Sequence, residues 1–209
     1  AGWDFVYRAD RVEPTVFSRF FVELYDAIWD DDLEKGGSLF MAPAADKTME
    51  LILEWPGSPY FDDVATPAKE SLADIVRLAF RRAVAQLTEA HGPCGPRWRW
   101  GRANPVTIGH LGRMPGLGAP PLAVSGGRGI INAASQGHGP SWRMVVEMGP
   151  TVRAWGILPG GTSGNPGSRF YDDGIRDWAA GRIYELLFLR SVDESQARIA
   201  GRTEIGGGR

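Results

Sequence analysis

The segment from residue 141 to residue 178 constrains the fold most. Two apolar runs, residues 141–148 and 151–158, flank Gly149-Pro150. Glycine at the first corner of a tight turn can take positive φ, and proline fixes the φ that follows, so the pattern predicts a β-hairpin. Alternation sends Trp142, Met144, Val146 and Met148 to one face and Arg143, Val145 and Glu147 to the other. On the partner strand Arg153, Trp155 and Ile157 oppose Val152, Ala154 and Leu158. Neither face is cleanly polar, which fits a sheet covered on both sides by further layers.

Residues 159–168 then read Pro-Gly-Gly-Thr-Ser-Gly-Asn-Pro-Gly-Ser, with four glycines and two prolines. Apolar strands before it and an aromatic helix start after it anchor both ends. This composition therefore predicts a loop with a fixed, unusual path, not a disordered linker. Asp172 or Asp173 is placed to cap the next helix, which runs through Ile175 and Trp178, and Gly181 to end it.

Upstream the periodicity is helical. Val16, Phe17, Phe20, Phe21, Leu24 and Ile28 recur on one face, with Pro14 suited to a first turn. Asp30-Asp31-Asp32 and Glu34 imitate a calcium loop but lack its spacing and central glycine, and read as a solvated helix end. Residues 36–48 read as irregular, and residues 49–54 form a short apolar run stopped by Trp55-Pro56-Gly57. Thr66-Pro67 reads as a helix start, continued by the stripe Leu72, Ile75, Val76, Ala79, Phe80, Ala83 and Leu87 and closed by Gly92-Pro93. If that stripe is buried, Phe80→Ala costs roughly 3–5 kcal/mol. Arg97-Trp-Arg-Trp-Gly-Arg102 superficially suits a nucleic-acid patch. The basic run is short and the net charge of the 209 residues is −2, so buried Trp rings with Arg stems over them are expected instead. Residues 104–121 read as a Gly/Pro-rich surface crossing. Gly127-x-Gly129-x-x-Asn132 lacks the third glycine and the strand-turn-helix setting of a dinucleotide site, and residues 130–133 read as a short strand. A final strand is expected over residues 184–189, a short helix over 191–198, and a frayed end over 201–209.

Three of these stretches together resemble the penicillin acylase family of N-terminal-nucleophile amidohydrolases, which includes cephalosporin acylases and acyl-homoserine-lactone acylases. They are Trp3-Asp4 followed by a helix, Trp98-Arg-Trp-Gly-Arg102, and Ser141-Trp-Arg-Met-Val-Val with Leu158-Pro-Gly-Gly-Thr-Ser-Gly-Asn-Pro-Gly-Ser, Tyr171-Asp-Asp and Trp178-Ala-Ala-Gly. Their order and spacing are similar to the last third of the family's large subunit. The resemblance implies an α+β fold, part of a four-layer αββα sandwich, with helices in the N-terminal half and antiparallel strands in the C-terminal half. Residues 1–125 are then a mainly helical segment, 126–200 the strands, Gly-rich loop and short helix of the sandwich core, and 201–209 a tail, in one domain incomplete on its own. It also implies that residues 49–54 are helical.

The family cleaves amides with a Ser, Cys or Thr at the start of the large subunit, whose free α-amine takes the proton because it titrates near pH 8. Ala1 has no attacking atom. The resemblance therefore implies that nucleophile, oxyanion-hole donors and calcium ligands lie upstream. No cofactor or metal is expected on this chain, and the isolated chain is expected to be inactive. The expected partners are the remaining catalytic segment and, through it, a small-molecule amide, a β-lactam side chain or another N-acyl compound. Nucleic acid and membrane are not expected partners, and a periplasmic or secreted location is implied by the family alone.

No substitute site emerges from the residues. Gly161-Thr162-Ser163-Gly164-Asn165 has Asn where a nucleophile elbow needs Gly. His91, His110 and His138 have no metal-ligand spacing, each sits near Gly or Pro in an expected loop, and Cys94 is the single cysteine. Glu147 is the one supporting candidate: the family's cephalosporin-acylase branch has an acidic residue on a strand here that orients a His near the nucleophile. An ion pair with Arg143 or Arg153 is the other reading. Asn165 and Tyr171 are expected to be loop and packing residues, and Trp142, Trp155 and the Gly-rich loop to support the active-site sheet. A non-catalytic binding or structural module derived from the family is the alternative function; its sheet edge would need a cap.

Overall fold

A computed structural model describes residues 2–33, 43–189, 191, 193–194, 201, 203 and 205–206. Ala1, Glu34, residues 36–42 of the expected irregular segment, most of the expected 191–198 helix and part of the tail lie outside the described residues, and residues 45–48 of that segment are helical. The chain divides into two compact units, Ala1–Gly139 and Pro140–Arg209. Helices fill the first and an antiparallel sheet the second, so the chain is α+β.

In the first unit, helix α1 spans Glu13–Trp29, with Pro14 in its first turn as the sequence predicts. Helix α2, Ala45–Glu54, confirms helix for the short apolar run and ends at Trp55. Helix α3, Leu72–His91, lies against α1. Leu24, Ile28 and Trp29 of α1 form one core with Phe61 and with Ile75 and Ala79 of α3. Ile28, Ile75 and Ala79 are at most 1% exposed, and burial of each Ile side chain contributes about 1.5–3 kcal/mol. The Trp29 indole is satisfied inside this core by the Thr48 hydroxyl at 3.1 Å.

Helix α3 does not start at Thr66-Pro67. The Thr66 hydroxyl lies 2.7 Å from the Glu70 carboxylate, and the Glu70 N–H donates to Asp62 at 2.9 Å, which holds residues 66–70 in a side-chain-braced turn. Ser71 is the N-cap, in a capping box with Asp74, whose carboxylate accepts the Ser71 N–H at 3.1 Å. That reciprocal pairing satisfies orphan donors more completely than Thr66 alone could. Gly92, at φ 77°, ends the helix as predicted. The stripe is buried at Ile75, Ala79, Ala83 and Leu87, but Phe80 is 50% exposed, so the full-burial cost expected for Phe80→Ala does not apply.

Trp98 closes a 3-10 turn, Pro96–Trp98, and Trp100 opens the short helix α4, Trp100–Ala103. Both rings are buried while Arg97, Arg99 and Arg102 are exposed. The Trp98 indole donates to Gly92 O at 2.9 Å, and Trp100 meets Tyr7 edge-on. Gly101 is required there, because a Cβ would stand 2.7 Å from that of Ala123. Residues 130–133 are not a strand. The Asn132 amide donates to Ser125 O at 2.7 Å and the Asn132 carbonyl accepts the Gly127 N–H at 3.0 Å, folding the segment back on itself around Gly126 and Gly129, both at positive φ.

In the second unit, β1 (Arg143–Glu147) pairs antiparallel with β2 (Arg153–Ile157), and β2 with β3 (Tyr184–Leu186), in the order β1-β2-β3. The hairpin is present, but five residues, 148–152, connect its strands, and Gly149 is not among the glycines at positive φ. A loop of that length has no need of the two-residue turn geometry inferred from Gly-Pro. The strand expected over 184–189 shortens to its first three residues. Helix α5, Ile175–Ala179, has Gly174 as N-cap and no side-chain cap, so neither Asp172 nor Asp173 serves that role. Asp172 contributes its carbonyl instead, accepting the Ile175 N–H at 3.1 Å. Gly181, at φ 75°, follows the end of α5 as expected.

Candidate functional site

The Gly-rich loop is held along a defined path by its own backbone and small side chains. Ser163 N–H donates to Phe170 O at 3.0 Å and Gly174 N–H to Gly160 O at 3.1 Å, tying the loop to the segment that leads into α5. Asn165 Oδ1 accepts the Gly167 N–H at 2.9 Å, and Ser163 Oγ accepts the Asn165 N–H at 3.1 Å. Asn165 is thus a loop residue. The glycines are needed for space: a Cβ on Gly161 would stand 1.9 Å from Phe170 O, and one on Gly174 would stand 2.2 Å from Gly160 O.

Trp178, 1% exposed, is the anchor of this unit. Its indole donates to Pro140 O at 3.1 Å, its carbonyl accepts from Arg143 Nη1 at 2.7 Å, and the Arg143 guanidinium lies 5.1 Å from its ring centre. Burial pushes the Arg143 pKa down from its ordinary value. A cation over an aromatic face, with one of its N–H groups on the carbonyl of the same residue, ties strand β1 to α5. Asp177 gathers Arg182 and Tyr184 at the other end of α5.

Glu147 does not share that environment. It pairs with Arg153 at 3.6 Å, with both side chains more than half exposed, and Arg153 in turn covers the Trp155 ring at 4.9 Å. Of its two foreseen ionic partners Arg153 is the one across the strand, because Glu147 and Arg153 are register partners. The apolar residues of β1 are open to solvent on both faces: Met144 is 56%, Val145 52% and Val146 37% exposed, and neighbouring Trp142 is 58%.

The three histidines lie in separate places: His91 in the last turn of α3, not a loop, His110 accepting the Gly112 N–H through Nδ1 at 3.1 Å, and His138 paired with Ser135 in a turn. Among the described residues no group of three or more His, Cys, Asp or Glu could hold a metal ion, and no helix is long and apolar enough to cross a membrane. Cys94 is exposed.

Cavities open among the described residues of the helical unit. An open apolar groove of about 760 Å³ is walled by Trp3, Val16, Phe17, Phe20 and Phe80. A smaller one of about 330 Å³ runs between α1 and α3 and is lined by Thr15, Arg19, His91 and Asn104 among others. Beside it Glu23, 5% exposed, accepts from Arg19 and, at 2.8 Å, from Gln86. The i,i+4 spacing of Arg19 and Glu23 is readable in the sequence, but the burial of Glu23 is not.

The family model described as Penicillin amidase matches residues 1–193. Among curated relatives, an acyl-homoserine lactone acylase QuiP of Pseudomonas aeruginosa is 28% identical over 157 residues, 63% of this chain and 18% of the relative. The protein of that name from Pseudomonas syringae pv. tomato is 31% identical over 143 residues, 62% and 17% of the two chains. That from Pseudomonas fluorescens is 27% identical over 177 residues, 81% and 21%. The chain thus spans about a fifth of the length of the relatives it matches. With the family model covering nearly all of it, the chain belongs to the penicillin amidase family.

Proposed function

We propose that this chain is the C-terminal portion of an N-terminal-nucleophile acylase, supplying strands and helices to an αββα sandwich whose nucleophile is carried by another segment. The observation that carries the reading is the state of β1. A strand with Met144, Val145 and Val146 exposed on both faces, flanked by Trp142, requires covering layers that the described residues do not provide. The family match and the small share of the relatives' length support the same view.

The reaction proposed for the complete enzyme is hydrolysis of a linear amide. A side-chain hydroxyl or thiol attacks the acyl carbon, its proton passes to the free α-amine and then to the leaving amine, and water releases the acid. The relatives' name favours an N-acyl homoserine lactone as substrate over a β-lactam amide. In this scheme the Arg143–Trp178 anchor and the Gly-rich loop support the sheet. Glu147 is a proposed positioning residue, free to exchange Arg153 for a histidine of the companion segment. The test is turnover of an N-acyl homoserine lactone and of a phenylacetyl amide by the native preparation, compared with the isolated chain. Hydrolysis that requires a companion polypeptide is expected, and hydrolysis by the isolated chain would refute the proposal.

A further inference from the structure

We propose that the aromatic groove of the helical unit receives an amphipathic helix from the companion segment of the complete acylase. The inference rests on reading the chain as one portion of a larger enzyme, and it names a surface and a chemistry by which the two portions meet. The apolar stripe of α1 runs unbroken from Phe17 through Phe20, Phe21 and Leu24 to Ile28. Its C-terminal half is closed over: Leu24 is 4% exposed and Ile28 0%, in one core with Ile75 and Ala79 of α3. Its N-terminal end is open. Phe17 is 40% exposed and Phe80 of α3 is 50%, and with Trp3 and Phe20 they wall the groove of about 760 Å³. The ring centres of Trp3 and Phe17 lie 5.5 Å apart and those of Phe20 and Phe80 6.2 Å, so the lining is braced within itself.

The lining selects the guest. Small-molecule sites enclose most of their ligand and add convergent polar groups, whereas this groove is open to solvent and almost wholly apolar. Of the charged residues that line it, Glu13 already accepts from Arg11 at 3.2 Å. Arg99 is exposed and has no ion pair with another described residue. The cover that continues a half-closed helix–helix face is another helix, with apolar residues spaced by three and four against the phenylalanines and an acidic residue toward Arg99. The companion segment is a ready source. The chain matches 18% and 17% of the lengths of two Pseudomonas relatives, so most of each relative lies outside the matched part.

The experiment uses the complete enzyme, companion segment included, with the photocrosslinking residue p-benzoylphenylalanine placed at Phe80 and, in a second variant, at Phe17. Both side chains are well exposed, and the second position covers the case in which the first variant folds poorly. Irradiation is followed by proteolysis and mass mapping. Both positions are expected to capture one stretch of the companion whose apolar residues recur every three or four positions, with Asp or Glu within a turn of the captured residue. Adding Arg99→Glu is expected to lower the yield several-fold, and adding Arg99→Lys to preserve it, because the rim charge steers the docking. The inference is overturned by capture of a second copy of this chain, by capture of a companion stretch lacking that spacing or that acid, or by a yield indifferent to Arg99→Glu. It is equally overturned by no capture while intact mass shows the companion bound, a result that leaves the acylase reading standing. Absence of any companion overturns both.

Discussion

Single atoms decide the second unit more than residue type does. Gly161 and Gly174 are held against backbone carbonyls that no Cβ can approach, while Gly164, in the same loop, has nothing within 4 Å of its own added Cβ. Gly161→Ala is therefore expected to destabilise by about 1–3 kcal/mol, as overpacking does, and Gly164→Ala by less than about 0.5 kcal/mol. Thermal unfolding of the pair checks this; equal midpoints would contradict the loop path. Within the helical unit, Ile75→Ala should cost about 2–5 kcal/mol, and half-exposed Phe80→Ala clearly less than the roughly 3–5 kcal/mol of a buried Phe, by denaturant titration. Glu147→Ala breaks only an exposed ion pair and should change stability by less than about 1 kcal/mol, so that a large fall in turnover of the complete enzyme would reflect positioning, not folding.

At the scale of elements, the start of α3 gives the sharpest test. Ser71→Ala should cost about 0.5–2 kcal/mol and Thr66→Ala less, because it removes only exposed hydrogen bonds of the preceding turn, the reverse of what Thr66-Pro67 suggests. The Asp74 carboxyl is held below its usual range, first by the Ser71 hydroxyl, then by the Ser71 N–H, with Arg77 adding attraction. A depressed folded value stabilises above the unfolded carboxylate pKa and is lost as pH falls through the folded one. The stability difference between wild type and Asp74→Asn should thus be constant above the ordinary Asp value of 3.8 and shrink below it. A difference unchanged into the acid range would contradict the capping assignment. The elements themselves were largely legible: α1, the body of α3 and the hairpin follow from periodicities of 3.6 and 2. Their ends were not, because Ser71 and Thr66 are equally good caps until Glu70 and Asp62 are seen to occupy the turn between them. Residues 130–133 misled because an apolar Ile-Ile pair carries no sign that Asn132 will fold back onto Ser125.

For the whole molecule, the family was legible because its motifs are constraints of geometry: buried Trp98, Trp100 and Trp178, and glycines set against carbonyls. The cavity between α1 and α3 was not, since a threonine in a first helical turn reads as a surface residue until α3 covers it. The uncovered faces of β1 make the central proposal one about composition, that this polypeptide works together with another. Intact-mass analysis of the native preparation, coupled to an N-acyl homoserine lactone assay, tests it most directly. A stoichiometric companion beginning with Ser, Thr or Cys, without which turnover vanishes, is the predicted result; a single active species of this chain alone would contradict it.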